Sequence, residues 1–199
     1  MITIGLTGSI GMGKSTTTQM FKDLGCAVFD ADAAVHALYA KGGKAVPIIG
    51  ATFPDAIVNG AVDREKLAAH LRADPLHIGV LESFIHPLVA EMRKVVVEQA
   101  VRSGKKIIVF DIPLLFETGG DARVDKTVVV SAPAHIQEKR VLARPNMSTE
   151  KFAMIKSRQM PDIEKRKQTD YIVHTDKGLD FARAQVRDII KDILAKQNV

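Results

Sequence analysis

The stretch Gly8-Ser9-Ile10-Gly11-Met12-Gly13-Lys14-Ser15 fits the pattern G-x-x-x-x-G-K-[ST] at every defined position, the mark of a turn that cradles phosphate. Such a short pattern can arise by chance, so a buried strand must lead into it and a helix must lead out. Both are legible. Residues 2–7 are a β-branched and apolar run that reads as a parallel strand, and residues 15–24 place Met20, Phe21 and Leu24 on one helical face before Gly25 stops the helix. Glycines let the backbone fold tightly, so that successive N–H groups and the positive helix end point at negative oxygens. Lys14 supplies a full charge for β- and γ-phosphates, and the Ser15 hydroxyl is placed to ligate magnesium. The bland alternative, a glycine-rich turn that binds nothing, is weakened by the flanking strand and helix.

The chain around this turn has 199 residues, 46% of them apolar, enough for one domain with insertions and a real core. No apolar run reaches membrane-spanning length and the chain opens directly on the strand, so neither a signal peptide nor a membrane anchor is expected. The lone Cys26 sits in an apolar run and reads as core, with the cytoplasm as the expected compartment. The net charge of +5 is spread along helices and concentrated mainly between Lys139 and Lys167, and the few aromatic residues show no stacking pattern. A polyanionic small substrate explains that charge better than nucleic acid does.

Further apolar runs at 26–29, 107–110, 127–130 and 171–173, most of them separated by helical patterns, predict a parallel α/β sheet. A closing helix over about 179–196 repeats apolar residues at Ala182, Val186, Ile189, Ile190 and Ile193 and should cover one face. More than seventy residues separate the second and third strands, far beyond an ordinary crossover. They read as an inserted helical subdomain with helices at 64–73, 76–85 and 87–102 and turns at Gly42-Gly43, Phe53-Pro54-Asp55 and Asn59-Gly60, Asp63 capping the first helix. A second insertion, 145–168, is charged and reads as a mobile lid.

Candidate side chains gather at the carboxyl edge of such a sheet, where ligands bind. Asp30 reads as the N-cap of a helix over 31–39; Asp32 is placed to accept a hydrogen bond from an acceptor hydroxyl or to help hold a metal. Asp111 ends the third strand and reads either as an outer-shell magnesium acid or as a turn former, while Glu117 reads as structural. His86 precedes Pro87, the first residue of a helix on one reading and a donor to the acceptor's ribose or phosphate on the other. His36 lies one turn beyond Asp32 and could equally be solvated. Arg140 and Arg144 share a helical face leading into the lid, where arginines can reach an adenine ring or a transferring phosphoryl group.

Taken together, these residues resemble the dephospho-coenzyme A kinases across nearly the whole chain. The match runs through the phosphate loop within residues 4–16, Asp30-Ala31-Asp32, Asp63-Arg64, His86-Pro87, Pro113-Leu114-Leu115-Phe116-Glu117, and Arg140 with Arg144. The resemblance implies an α/β P-loop NTPase fold: a parallel five-stranded sheet flanked by helices, with an inserted helical substrate domain and a lid. It divides the chain into a nucleotide core at 1–32, 104–144 and 169–199, an acceptor-binding insertion at 33–103 and a lid at 145–168. It implies transfer of phosphoryl from ATP, with Mg2+, to the ribose 3′-hydroxyl of dephospho-coenzyme A, the final step of coenzyme A biosynthesis. Its catalytic residues would be Asp32, Lys14 and Arg144. ATP would be bound by Gly8, Ser9, Ile10, Gly11, Met12, Gly13, Lys14, Ser15, Thr16 and Arg140. The acceptor would meet Asp32, His36, Arg64, His86 and Leu115, and magnesium would meet Ser15 and, in the outer shell, Asp111. No nucleic acid, membrane or obligate protein partner is expected. Two departures stand out: Ser9 replaces a second glycine, and 175–178 replaces an Asn-x-Gly turn associated with adenine.

The rivals are another small-molecule kinase, acting on a nucleoside monophosphate or on shikimate, and a nucleotide-dependent switch. The long insertion argues for a large acceptor, and no Asn-Lys-x-Asp guanine signature is present.

Overall fold

A computed structural model describes residues 1–196; residues 197–199, the end of the core segment 169–199, lie outside the described residues. In chain order the elements are β1 (Ile2–Thr7), α1 (Lys14–Asp23), β2 (Ala27–Asp30), α2 (Ala31–Tyr39), α3 (Ala45–Thr52), β3 (Ile57–Val58), β4 (Ala61–Val62), α4 (Arg64–Ala73), α5 (Leu76–Arg102), β5 (Ile107–Asp111), β6 (Lys126–Ser131), α6 (Ala134–Leu142), α7 (Thr149–Ser157), α8 (Asp162–Gln168), β7 (Tyr171–His174) and α9 (Leu179–Ala195). The chain forms two compact units, one of Met1–Phe29 with the chain from Gln99 onward, the other Asp30–Glu98.

The first unit is built on a five-stranded parallel sheet of order β2-β5-β1-β6-β7. Side chains alternate across it. Ile4 and Leu6 of β1, Ile107 and Val109 of β5, and Val128 and Val130 of β6 share one face with Met20 and Phe21 of α1 and Ala182, Val186, Ile189 and Ile193 of α9. This is the apolar period expected of the closing helix, and Cys26 belongs to the same cluster. The opposite face is closed partly by the chain after β5, because Gly5 leaves room for Leu115, whose methyls would meet an added Cβ at 2.8 Å. The order places β1 centrally, with β5 and β6 on either side, so the chain exits after β1, β5, β6 and β7 converge on one edge.

The second unit packs Leu38, Ile49, Phe53, Leu67 and Ile85 into its own core. Asp30 and Asp63 cap α2 and α4, accepting from the N–H of Ala33 and from those of Glu65 and Lys66. Asn59 and Gly60, with φ of 52° and 79°, make the tight turn between β3 and β4. The expected break between two helices at Pro87 does not occur: α5 runs through it without interruption. Proline deprives the Ser83 carbonyl of its helical donor, a cost of about 3 kcal/mol. The apolar stripe Leu81, Ile85, Leu88, Val89 and Met92 nevertheless keeps its helical period across the proline, and all five residues pack on the unit's core.

Candidate active site

The phosphate loop joins β1 to α1. Its two left-handed positions are Gly11 and Gly13, with φ of 79° and 97°, where a Cβ would also crowd Val141 and Thr175. Ser9 is not among the positive-φ residues, which apart from glycine are Asn59 and Asn146 among the described residues. Its serine is therefore accommodated without strain, the side chain buried. α1 begins with no side-chain cap and no acid in its first turn, leaving its first N–H groups and its dipole open to an anion.

Lys14 reaches from this helix end to Asp111 at the end of β5, forming an ion pair with Oδ1. Asp111 is 2% exposed, and its Oδ2 accepts from Thr18 Oγ1 at 2.7 Å. A carboxylate so buried needs a cation beside it.

Thr175, just past β7, braces the loop from another side. Its Oγ1 donates to Met12 O at 2.7 Å and accepts from Arg140 Nη1 at 2.9 Å, while Arg140 Nη2 donates to Thr175 O at 2.7 Å. A cavity of about 240 Å³ opens here, lined among others by Gly11, Gly13, Thr16, Arg140, Arg144 and Thr175. Two arginines, the uncapped helix end and a small apolar floor of Met20, Leu179 and Ala182 suit a nucleoside carrying phosphates. A second cavity, of about 270 Å³, uses the same loop after β7 together with Pro133, Arg166 and Lys177.

The apex of the loop is held by two glutamines absent from the sequence-based site. Ile10 N–H donates to Gln159 Oε1 at 3.0 Å, and Gln137 Nε2 donates to Ile10 O at 2.8 Å. The segment 145–168 forms α7 and α8. It is tied down by Lys165, which has no exposed side-chain surface and pairs with Glu117 at 2.9 Å. Burial alone would raise the Glu117 carboxyl, but Lys165 and the Met160 N–H outweigh it and hold the group below the usual glutamate range.

Among the other expected site residues, Asp32 and His36 are exposed on successive turns of α2. Arg64 begins α4 with its guanidinium 5.7 Å from the Tyr39 ring centre. His86 is exposed on α5. Leu115 is fully buried.

Comparison with known proteins identifies the family. The family model described as Dephospho-CoA kinase matches residues 2–180. The Dephospho-CoA kinase of Nitrobacter winogradskyi is 50% identical over 190 residues, 96% of this chain and 94% of that protein. The one from Ruegeria pomeroyi is 52% identical over 192 residues, covering 96% and 95%. The crystal structure of TT1252 from Thermus thermophilus superimposes with a TM-score of 0.79 at 34% identity, over 98% of this chain and 97% of that one. The chain belongs to the dephospho-CoA kinase family.

Proposed function

We propose that the chain transfers the γ-phosphoryl group of ATP to the 3′-hydroxyl on the ribose of dephospho-coenzyme A, releasing ADP and coenzyme A. The observation that carries this reading is the Lys14 ammonium at the uncapped start of α1, paired with a buried acid and beside a cavity edged by Arg140 and Arg144. The loop amides other than those of Ile10 and Met12, which donate to Gln159 and to the Ser9 carbonyl, hold the phosphates together with Lys14, and Arg140 lies on the adenine side. Arg144 stabilises charge on the equatorial oxygens during in-line transfer. Magnesium would be held by the Ser15 hydroxyl, with Asp111 behind it, and would neutralise charge between the β- and γ-phosphates. The burial of Asp111 fits that role, since the acid needs a new cation once Lys14 turns to phosphate.

Asp32 accepts the hydrogen bond of the attacking hydroxyl and takes its proton late, as a loose transition state requires. His36, Arg64 and His86 bind the acceptor within the 33–103 segment, while Leu115 acts as packing beneath the turn after β5. Within the 145–168 segment α8 stays docked through Lys165, while α7 closes over the phosphates and excludes water. The enzyme works in the cytoplasm on these small molecules, without nucleic acid, membrane or an obligate protein partner.

The test is initial-rate ADP production with ATP and magnesium against dephospho-coenzyme A, AMP, CMP, shikimate and no acceptor. Selective turnover with dephospho-coenzyme A is expected. Turnover with another alcohol alone would discard the substrate, and turnover independent of any acceptor would discard the kinase.

A further inference from the structure

We propose that Gln159 is a positioning residue that holds the apex of the phosphate loop in its receiving shape and ties that shape to the docking of α8. This rests on the reading of residues 8–16 as the ATP phosphate site.

Ile10, at the apex, has both main-chain groups taken by side chains. Gln137 accounts for the carbonyl at 2.8 Å from α6, and Gln159 accounts for the N–H at 3.0 Å from the link between α7 and α8. Gln137 is 2% exposed and sits on a regular helix, so its grip is fixed. Gln159 depends on what fixes its own backbone. The next N–H, that of Met160, donates to Glu117 Oε1 at 2.7 Å, and Glu117 pairs with Lys165 of α8 at 2.9 Å. Lys165 Nζ also donates to Pro113 O at 3.3 Å, the same oxygen that takes the Thr7 hydroxyl at 3.0 Å. The contacts therefore close a ring that leaves the chain at Thr7 and returns to it at Ile10.

A buried ammonium costs more than an apolar side chain of the same length unless it is paired in one geometry. Lys165 is fully buried in the short α8, so its charge fixes where α8 sits rather than merely adding burial. Displacing α8 shifts Met160 and with it the Gln159 amide. A loop freed at its apex samples shapes that do not receive phosphate, and nucleotide must reorder it on binding. The penalty falls on nucleotide affinity and leaves the chemical step, which follows reordering, nearly unchanged.

The test uses the whole protein. In Gln159→Ala, the dissociation constant for ATP measured by calorimetry without acceptor should rise about 3- to 10-fold, the worth of one neutral hydrogen bond, with kcat within about twofold. Ile10 amide exchange, read by NMR, should accelerate in Gln159→Ala and stay protected in Gln159→Glu, which keeps an acceptor oxygen. The paired variant Lys165→Met with Glu117→Gln should accelerate it too. Wild-type affinity and exchange in Gln159→Ala would overturn the proposal, as would weaker affinity with unchanged Ile10 exchange. Because these readouts need no acceptor, a wild-type protein that ignored dephospho-coenzyme A would refute the substrate assignment alone.

Discussion

Asp111 holds the Lys14 ammonium on one carboxylate oxygen while the other accepts the Thr18 hydroxyl at 2.7 Å. The lysine that would meet phosphate is thus engaged by the acid that would stand behind magnesium. On the proposed function, nucleotide binding exchanges one partner of each for another. Asp111→Asn should leave metal-free ATP binding no weaker, because Lys14 is released, while the magnesium concentration for half-maximal rate rises and turnover falls about tenfold. Calorimetry with EDTA and a magnesium titration of the rate would check both; weaker metal-free binding would contradict the exchange.

Lys14→Met strands Asp111, at 2% exposure, without its counter-charge. The cost is about 2 kcal/mol, less than for a wholly buried pair because Lys14 keeps 18% exposure. Denaturant unfolding of the nucleotide-free protein should show this loss, and Lys14→Met with Asp111→Asn should regain most of it. Neither variant should regain turnover or ATP affinity. A single variant as stable as wild type would show that the pair contributes nothing to the fold.

For Asp32→Asn the expectation is a fall in turnover of ~10²-fold or more, about 3 kcal/mol in the barrier, with ATP affinity nearly unchanged. Steady-state rates paired with nucleotide calorimetry make the distinction. Wild-type turnover would remove Asp32 from the mechanism.

The Glu117 carboxyl lies below its ordinary range because Lys165 and the Met160 N–H outweigh the effect of burial. A depressed folded value contributes stability that is fully present above the unfolded pKa, about 4.3, and is lost as pH falls through the folded one. Thermal midpoints should therefore drop more steeply on acidification below about pH 4.5 in the wild type than in Glu117→Gln, which should start lower and vary less. Parallel curves would deny the pair this role.

The Cys26 thiol is pushed up to about 11 by burial, against the pull of the Lys105 ammonium. At pH 7.5 its thiolate fraction is on the order of one part in three thousand. Native protein should resist iodoacetamide for hours, whereas urea-unfolded protein should be alkylated at least about 100-fold faster. Rapid native labelling would place this thiol outside the core.

The sheet was readable because buried parallel strands are local events. The runs at 107–110 and 171–173 fall within one residue of β5 and β7. Both aspartate caps were readable for the same reason, since a cap and the N–H groups that donate to it lie within three residues. Pro87 by itself signals a helix start, whereas the apolar stripe from Leu81 to Met92 runs on through it and decides the helix. The loop's supports were invisible for a different reason. Gln159 and Ile10 are 149 positions apart, and Arg140 and Thr175 are 35 apart. A glutamine or threonine that hydrogen-bonds across such a distance looks locally like any polar surface residue. Lys165 was hidden in a basic segment by the same ambiguity: only packing separates a buried ammonium from its solvated neighbours.

Transfer of phosphate to one particular hydroxyl is tested most directly by the structure of the product. Phosphorus NMR of the reaction with ATP, magnesium and dephospho-coenzyme A should show a new phosphomonoester coupled to the ribose H3′ proton, formed in equal amount to ADP. A phosphomonoester coupled to H2′, or ADP formed with no new ester, would contradict it.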